Sequence, residues 1–312
     1  MTDILELNGV AIEGIAASLP ESFIDNDERI AKATGIVKRR VANDESSAID
    51  FCIKAAEKII SDCAIKLEEF GAVINVSFTQ RERMPCGACK AQAALNLPTS
   101  VISFDVMQAC AGYGYGLYLA GLLALQTGKK VLLLDGDRQS EFLDATDPAT
   151  SPLLGDGGTA TIVAPCKDAS PWRFAFFSDG SKGDVLKLEK SSTIKMDGFG
   201  VFRFVASDVA TMIKEFMAKV ELADDFLFAP HQANVYIVRQ LAKACGISED
   251  KLLISADKFG NLASASVPAT IAANAQMFSQ GKTLLIAGFG GGLSASFAQV
   301  NIPIGCRVIS VK

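Results

Sequence analysis

Residues 100–135 read SVISFDVMQACAGYGYGLYLAGLLALQTGKKVLLLD. An apolar run, Ser100–Val106, leads through a small-residue turn around Cys110 into a helical stretch, Gly114–Gln126, and then a second apolar run, Lys130–Asp135. No residue from Val106 to Gly128 is charged. That length can span a bilayer, but Gln108, Cys110, Gln126 and the glycines at Gly112, Gly114 and Gly116 interrupt it, and a strand-like run feeds directly into it. A helix without a polar face is enclosed by other elements. The stretch therefore reads as strand, buried helix, strand inside a globular protein.

Working outward, Gly71–Phe78 and Thr159–Ala164 are further apolar strand candidates, and Ala48–Ser61 has helical composition. Near-continuous apolar strands joined by helices indicate an α/β fold whose sheet is covered on both faces. The second half repeats the plan with helix Ser207–Val220, strand Phe226–Ala229, helices Val235–Cys245 and Val267–Ser279, and strand Thr283–Ala287. There is also an internal echo. Gly128–Leu134 and Gly281–Ile286 both pass from glycine and lysine into an apolar strand, and each is followed by a glycine cluster (Gly155–Gly158, Gly290–Gly292) and a small-residue run. Two unrelated buried strands would look alike, but a duplicated half explains the chain length as well. The join is expected near Cys166–Ala175, giving halves 1–168 and 169–312.

The 312 residues carry a net charge of −5, which argues against nucleic-acid binding because phosphate neutralisation needs a concentrated basic face. Met1–Glu6 lacks the basic and apolar pattern of a leader. Eight irregularly spaced cysteines in a core-rich chain read as reduced thiols, so a cytoplasmic location is expected. The single pair Cys86-x-x-Cys89 has no second pair or nearby histidine and reads as structural thiols, with no metal site expected.

His231 is the only histidine. This excludes zinc hydrolases with two or three histidine ligands and condensing enzymes that need a histidine pair. It stands in Pro230-His231-Gln232-Ala233-Asn234, at a strand end before a helix. Thirty residues on, Gly260-Asn261 opens a small-residue run. A neutral imidazole N–H and a carboxamide can both donate to one carbonyl oxygen and so stabilise an enolate; a structural histidine and a turn asparagine are the plainer alternatives. Cys110, at a strand-to-helix turn, lies where a helix dipole favours a thiolate and backbone N–H groups face what the sulfur attacks. An ordinary buried cysteine would read the same way. Gly288–Gly292 suits close backbone approach to a ligand, or a tight turn.

Together the segments Asp105–Gly112, Pro230–Asn234, Gly260-Asn261 with Ala265–Pro268, and Phe289–Gly292 stand in an order that resembles the β-ketoacyl-acyl-carrier-protein synthase III family of the thiolase superfamily. The resemblance covers nearly the whole chain. It implies a thiolase fold of two similar βαβαβ-type halves in a five-layered α-β-α-β-α arrangement, and a homodimer. It implies Cys110 as nucleophile, His231 and Asn261 as the pair holding a malonyl thioester carbonyl during decarboxylation, and the N–H groups of Cys110 and Gly291 as oxyanion hole. Met84, Phe289 and Leu293 match acyl-pocket positions, with Met84 lent by the partner subunit; Arg29, Arg203, Asn234 and Lys243 match positions that meet coenzyme A or the carrier protein. No cofactor is implied beyond the substrates, acyl-CoA or acyl-carrier thioester and malonyl-carrier thioester.

Several residues depart from the family pattern. Arg29 stands where a tryptophan stacks on adenine, Met84 where a phenylalanine fills the acyl pocket, and Tyr236 where an arginine helps dock the carrier; Leu262 and Ala263 replace hydroxyl residues. These changes bear on which acyl group and donor are used. Lys38-Arg39-Arg40, Arg203, Arg239 and Lys243 are candidates for a basic docking face. The expected reaction is a decarboxylative Claisen condensation. The alternatives are acyl transfer without decarboxylation in a specialised pathway, or a non-catalytic homologue that binds carrier protein.

Overall fold

The computed structural model describes residues 1–43, 45–82, 84–189 and 192–309. Two mixed sheets carry the architecture. The six-stranded sheet runs in the order Arg307–Val308, Val10–Ser18, Asp156–Pro165, Lys130–Arg138, Phe70–Val76, Ile102–Val106. The five-stranded sheet runs Leu5–Leu7, Trp172–Ser178, Ser294–Ile302, Lys282–Gly290, Leu227–Pro230.

The echo noted in the sequence has a topological counterpart. Lys130–Arg138 pairs parallel with Phe70–Val76 and antiparallel with Asp156–Pro165. Lys282–Gly290 pairs parallel with Leu227–Pro230 and antiparallel with Ser294–Ile302. Both central strands are apolar on both faces because both faces are covered. Leu133 and Leu284 face the core between the sheets, whereas Leu132 and Leu285 face cores on the outer sides.

The helix Gly112–Thr127 lies between the sheets, packing on strands of both, and Ser266–Ala273 shares that layer. This location explains why Val106–Gly128 is uncharged; no helix among the described residues is long and apolar enough to cross a membrane. Gly128, at φ +66°, ends the first of these helices. Ala48–Asp62 and Gly87–Ala94 cover the outer face of the six-stranded sheet, and Ala210–Lys219 and Val235–Ala244 that of the other. The result is the five-layered α-β-α-β-α order of the thiolase fold.

Some expected boundaries move. The helix expected at Ser207–Val220 begins at Gly198, passes through a π-helical stretch, Phe204–Val209, and ends at Lys219. Asp197 caps its start, its Oδ1 accepting from the N–H groups of Phe199 and Gly200 at 3.1 Å each; the glycines there masked the helical pattern. The helix expected to reach Ser279 stops at Ala273, where Asn274 Nδ2 turns back to donate to the Thr270 carbonyl at 2.9 Å. Strands Val10–Ser18 and Trp172–Ser178 were not foreseen. The first is rich in small residues, and the second falls inside the stretch taken as the join between halves.

Candidate active site

The two central helices begin in the same unusual way. A 3-10 turn, Ala109–Ala111, precedes Gly112–Thr127, and another, Ala263–Ala265, precedes Ser266–Ala273. Each opens on an alanine in the left-handed region, Ala109 at φ +41° and Ala263 at φ +50°. Such strain persists only where surrounding packing enforces it. It turns Cys110 out of the strand Ile102–Val106 and sets Asn261 two residues before the corresponding bend.

Glycines let the hairpin of Lys282–Gly290 and Ser294–Ile302 close on Cys110. A Cβ built on Gly290 would lie 2.8 Å from Cys110 Cβ and 3.2 Å from its Sγ; one on Gly288 would lie 2.9 Å from Ala111 Cα. Ser296 Oγ donates to the Ala111 carbonyl at 2.7 Å, tying the turn to the same hairpin.

His231 follows the strand Leu227–Pro230 and is buried, its backbone N–H donating to the Ala287 carbonyl at 2.7 Å. Its ring meets Phe289 edge-on, with centroids 5.4 Å apart. Nδ1 has no hydrogen-bond partner among the described residues. Burial pushes the imidazole down to about 4, opposed by hydrogen bonding with the Ala263 backbone. The ring is therefore neutral at physiological pH. Asn261 is also buried; its Oδ1 accepts from the Ala263 N–H at 2.9 Å, which leaves the amide nitrogen as the end free to donate.

Two buried glutamines hold this arrangement: Gln232, quoted beside His231 but given no role, and Gln139, which the sequence reading did not single out. Gln232 Nε2 donates to the carbonyls of Pro230 and Leu253, and its Oε1 accepts from the N–H groups of Ser255 and Ala256. Gln139 Nε2 donates to the carbonyls of Gly155 and Asn261 at 2.8 and 2.7 Å. Gln139 stands among Asp137, Arg138, Ser140 and Glu141 and carries no sequence signal of burial; once buried, each glutamine must find partners.

Burial pushes the Cys110 thiol up to about 12, and the nearby Asp137 carboxylate adds to the rise. Burial thus outweighs the helix-terminus effect expected from sequence, and Cys110 rests as a thiol. Asp137 itself is pushed up to about 7 by burial, against hydrogen bonds from Phe78, Thr79 and Ser77.

Two cavities meet at Cys110. The smaller, about 230 Å³, is lined by His231, Asn234, Phe289 and Gly290, with Thr34, Val201 and Ile237 among its other residues. The larger, about 320 Å³, is lined by Gly291, Met107, Gln139 and a mostly apolar wall. Cys110, Asn261, Leu154, Leu186 and Met196 belong to both.

Other expected residues fall elsewhere. Of the acyl-pocket candidates, Phe289 lines the His231 cavity. Leu293 packs in the core under Ala210–Lys219, and Met84, 86% exposed, lines neither of these two cavities. Arg29 and Lys243 are exposed and line neither cavity; Arg203 borders a separate depression with Lys182 and Phe199. Asn234 lines the His231 cavity while its Oδ1 caps Val235–Ala244 by accepting from the Ile237 N–H at 2.7 Å. Arg39 leaves the list of docking candidates: it is buried, donating to the Leu154 carbonyl at 3.3 Å. Cys86 and Cys89 are free thiols with their sulfurs 3.4 Å apart, and no cluster of three metal-ligating side chains occurs among the described residues.

Comparison with known proteins bears on the family and the fold. Residues 104–183 match the family described as 3-oxoacyl-[acyl-carrier-protein] synthase III, and residues 217–302 match its C-terminal counterpart. The β-ketoacyl-[acyl-carrier-protein] synthase III of Staphylococcus aureus (strain Newman) is 34% identical over 307 residues, covering 91% of this chain and 96% of that protein. The crystal structure of a 3-oxoacyl-(acyl-carrier protein) synthase from Burkholderia xenovorans LB400 superposes with a TM-score of 0.93 at 28% identity, covering 99% of this chain and 98% of the other. The synthase III of Aquifex aeolicus VF5 gives 0.86 at 28% identity, covering 93% and 99%. A cysteine, a histidine and an asparagine converging on two cavities within a thiolase fold, together with these matches, make this chain a member of the β-ketoacyl-acyl-carrier-protein synthase III family of condensing enzymes.

Proposed function

We propose that Cys110, His231 and Asn261 carry out a two-step decarboxylative condensation. The observation that carries this reading is that Cys110 and Asn261 border both cavities while His231 borders one of them. In the first step the Cys110 sulfur attacks an acyl thioester. The carbon–sulfur bond of the donor breaks, and the donor leaves as a free thiol carrying the cysteine proton. The N–H groups of Cys110 and Gly291 receive the oxyanion, and preorganised donors of this kind stabilise charge only as it develops.

In the second step a malonyl thioester enters through the His231 cavity. Carbon dioxide leaves, and the remaining electron pair forms an enolate held by the neutral imidazole and the Asn261 amide. The enolate carbon attacks the acyl carbonyl on Cys110, releasing a β-ketoacyl thioester, and the departing thiolate takes a proton from solvent. Covalent catalysis splits one hard carbon–carbon bond formation into two easier steps. A neutral histidine suits this role, because its remaining N–H donates while the buried ring carries no charge.

The physiological partners in this reading are acyl-CoA or acyl-carrier thioester and malonyl-carrier protein, met in the cytoplasm, with no cofactor besides the substrates. The halves are 1–168 and 169–312, with the end strands Leu5–Leu7 and Arg307–Val308 exchanged between their sheets. The homodimer forms along the edge strand Ile102–Val106. Ile102 (44% exposed) lies on it and Met107 (79%) directly follows it as exposed apolar residues, and an unpaired apolar edge needs a cover.

Intact-protein mass spectrometry against a panel of acyl thioesters tests the assignment. Cys110→Ala should show no mass gain; acylation that persists in it rejects the nucleophile. His231→Ala and Asn261→Ala should still acylate, yet lose about 10²–10³-fold in carbon dioxide release from a malonyl thioester. Equal loss of both half-reactions would contradict the division of labour.

A further inference from the structure

The larger cavity specifies the acyl group, given the assignment of Cys110 as nucleophile. Its wall is apolar: Phe78, Met107, Leu154, Leu186, Ile194 and Met196 surround the space reached from the sulfur. Three polar side chains of that wall are already engaged, and the others, Gln108 and the Asn261 amide, stand at its Cys110 end. Gln139 Nε2 serves the Gly155 and Asn261 carbonyls, Thr150 Oγ1 donates to Asp147 at 2.7 Å, and Lys187 Nζ pairs with Asp184 and Glu189 at 2.9 Å each. A charged or hydroxylated acyl group would lose its water there without finding those donors.

Size then sets the length. The cavity measures about 320 Å³, and an apolar cavity of roughly 150 Å³ holds the six carbons of benzene. An acetyl group would leave most of this space empty, and unfilled apolar volume is unfavourable. At the outer end, Met107 stands exposed beside the edge strand, and a methionine yields to a longer chain.

We infer that the group carried on Cys110 is an unsubstituted aliphatic acyl chain of roughly six to twelve carbons, with Ile194 as a determinant of its length. Ile194 is buried, is held by its N–H bond to the Phe142 carbonyl at 2.8 Å, and lines the larger cavity without lining the smaller one.

The test uses the full-length protein and N-acetylcysteamine thioesters from acetyl to tetradecanoyl, with benzoyl added. These carry the reactive end shared by coenzyme A and carrier protein. The second-order rate of mass gain should rise about fourfold per methylene, peak between six and twelve carbons, and fall beyond. Ile194→Phe should move the peak to shorter chains and lower the decanoyl-to-acetyl ratio at least tenfold; Ile194→Val, which trims the same side chain and keeps it apolar, should move the peak the other way. A profile highest at acetyl, or benzoyl outrunning every chain, overturns the chain-length inference while leaving the nucleophile in place. An unmoved peak in both variants overturns the role of Ile194. No mass gain with any thioester overturns this inference and the nucleophile assignment together.

Discussion

Cys110 and His231 are shifted by burial in ways that favour their uncharged forms, the thiol up to about 12 and the imidazole down to about 4. The pH dependence follows from these values. Alkylation of Cys110 by iodoacetamide should accelerate about tenfold per pH unit from 6 to 9, since only the thiolate reacts, without levelling off in that range. A plateau near neutrality would show that the helix terminus, rather than burial, governs the sulfur. Release of carbon dioxide from the acyl-enzyme should be insensitive to His231 titration above pH 5, because the ring is already neutral; loss of activity with an apparent pKa of 6 to 7 that disappears in His231→Ala would contradict this. The identities of these two side chains and of Asn261 were legible as candidates in the sequence, because each stands at a junction of apolar and helical patterns. Their protonation states were not, since burial depends on what packs around them.

The strand–turn–helix unit around Cys110 and the glycine hairpin opposite it work as a pair. The absence of a side chain at Gly290 allows the hairpin to touch the nucleophile. Gly290→Ala should slow acylation about 10²-fold through displacement of the sulfur while the far-ultraviolet spectrum stays unchanged; wild-type acylation in this variant would remove the packing argument. The sequence marked Gly288–Gly292 as suited to close approach but did not say to what. Likewise the helix Gly112–Thr127 was legible as buried because it lacks a polar face. The start of the helix at Gly198 was not legible, because glycines at its first turn hide a cap that Asp197 supplies.

At the scale of the whole molecule, the proposed contacts with other chains lie at the edge strand Ile102–Val106 and at Arg203. Ile102→Glu should convert a dimer of the 33.0 kDa chain to monomer in sedimentation experiments, because like charges face each other across a two-fold edge pairing; an unchanged sedimentation coefficient would move the interface elsewhere. Arg203→Glu should raise the KM for a carrier-borne thioester severalfold and flatten its salt dependence, yet leave the N-acetylcysteamine thioester unaffected. An unchanged KM would reject Arg203 as a docking residue. The primary structure alone was enough to establish the α/β class and the family, and to name Cys110, His231 and Asn261 as candidates, since these follow from local periodicity, from charge-free runs and from residues quoted in order along the chain. Folding in space decided the rest. Phe289 turned toward His231 and Leu293 toward a core, Arg39 was withdrawn from the surface, and Gln139 and Gln232 became ties. Two cavities came to share one sulfur. Each of these depends on which strands become neighbours, and strand order brings together residues far apart in sequence, as with Gln139 and Asn261, through contacts that no single stretch of chain encodes.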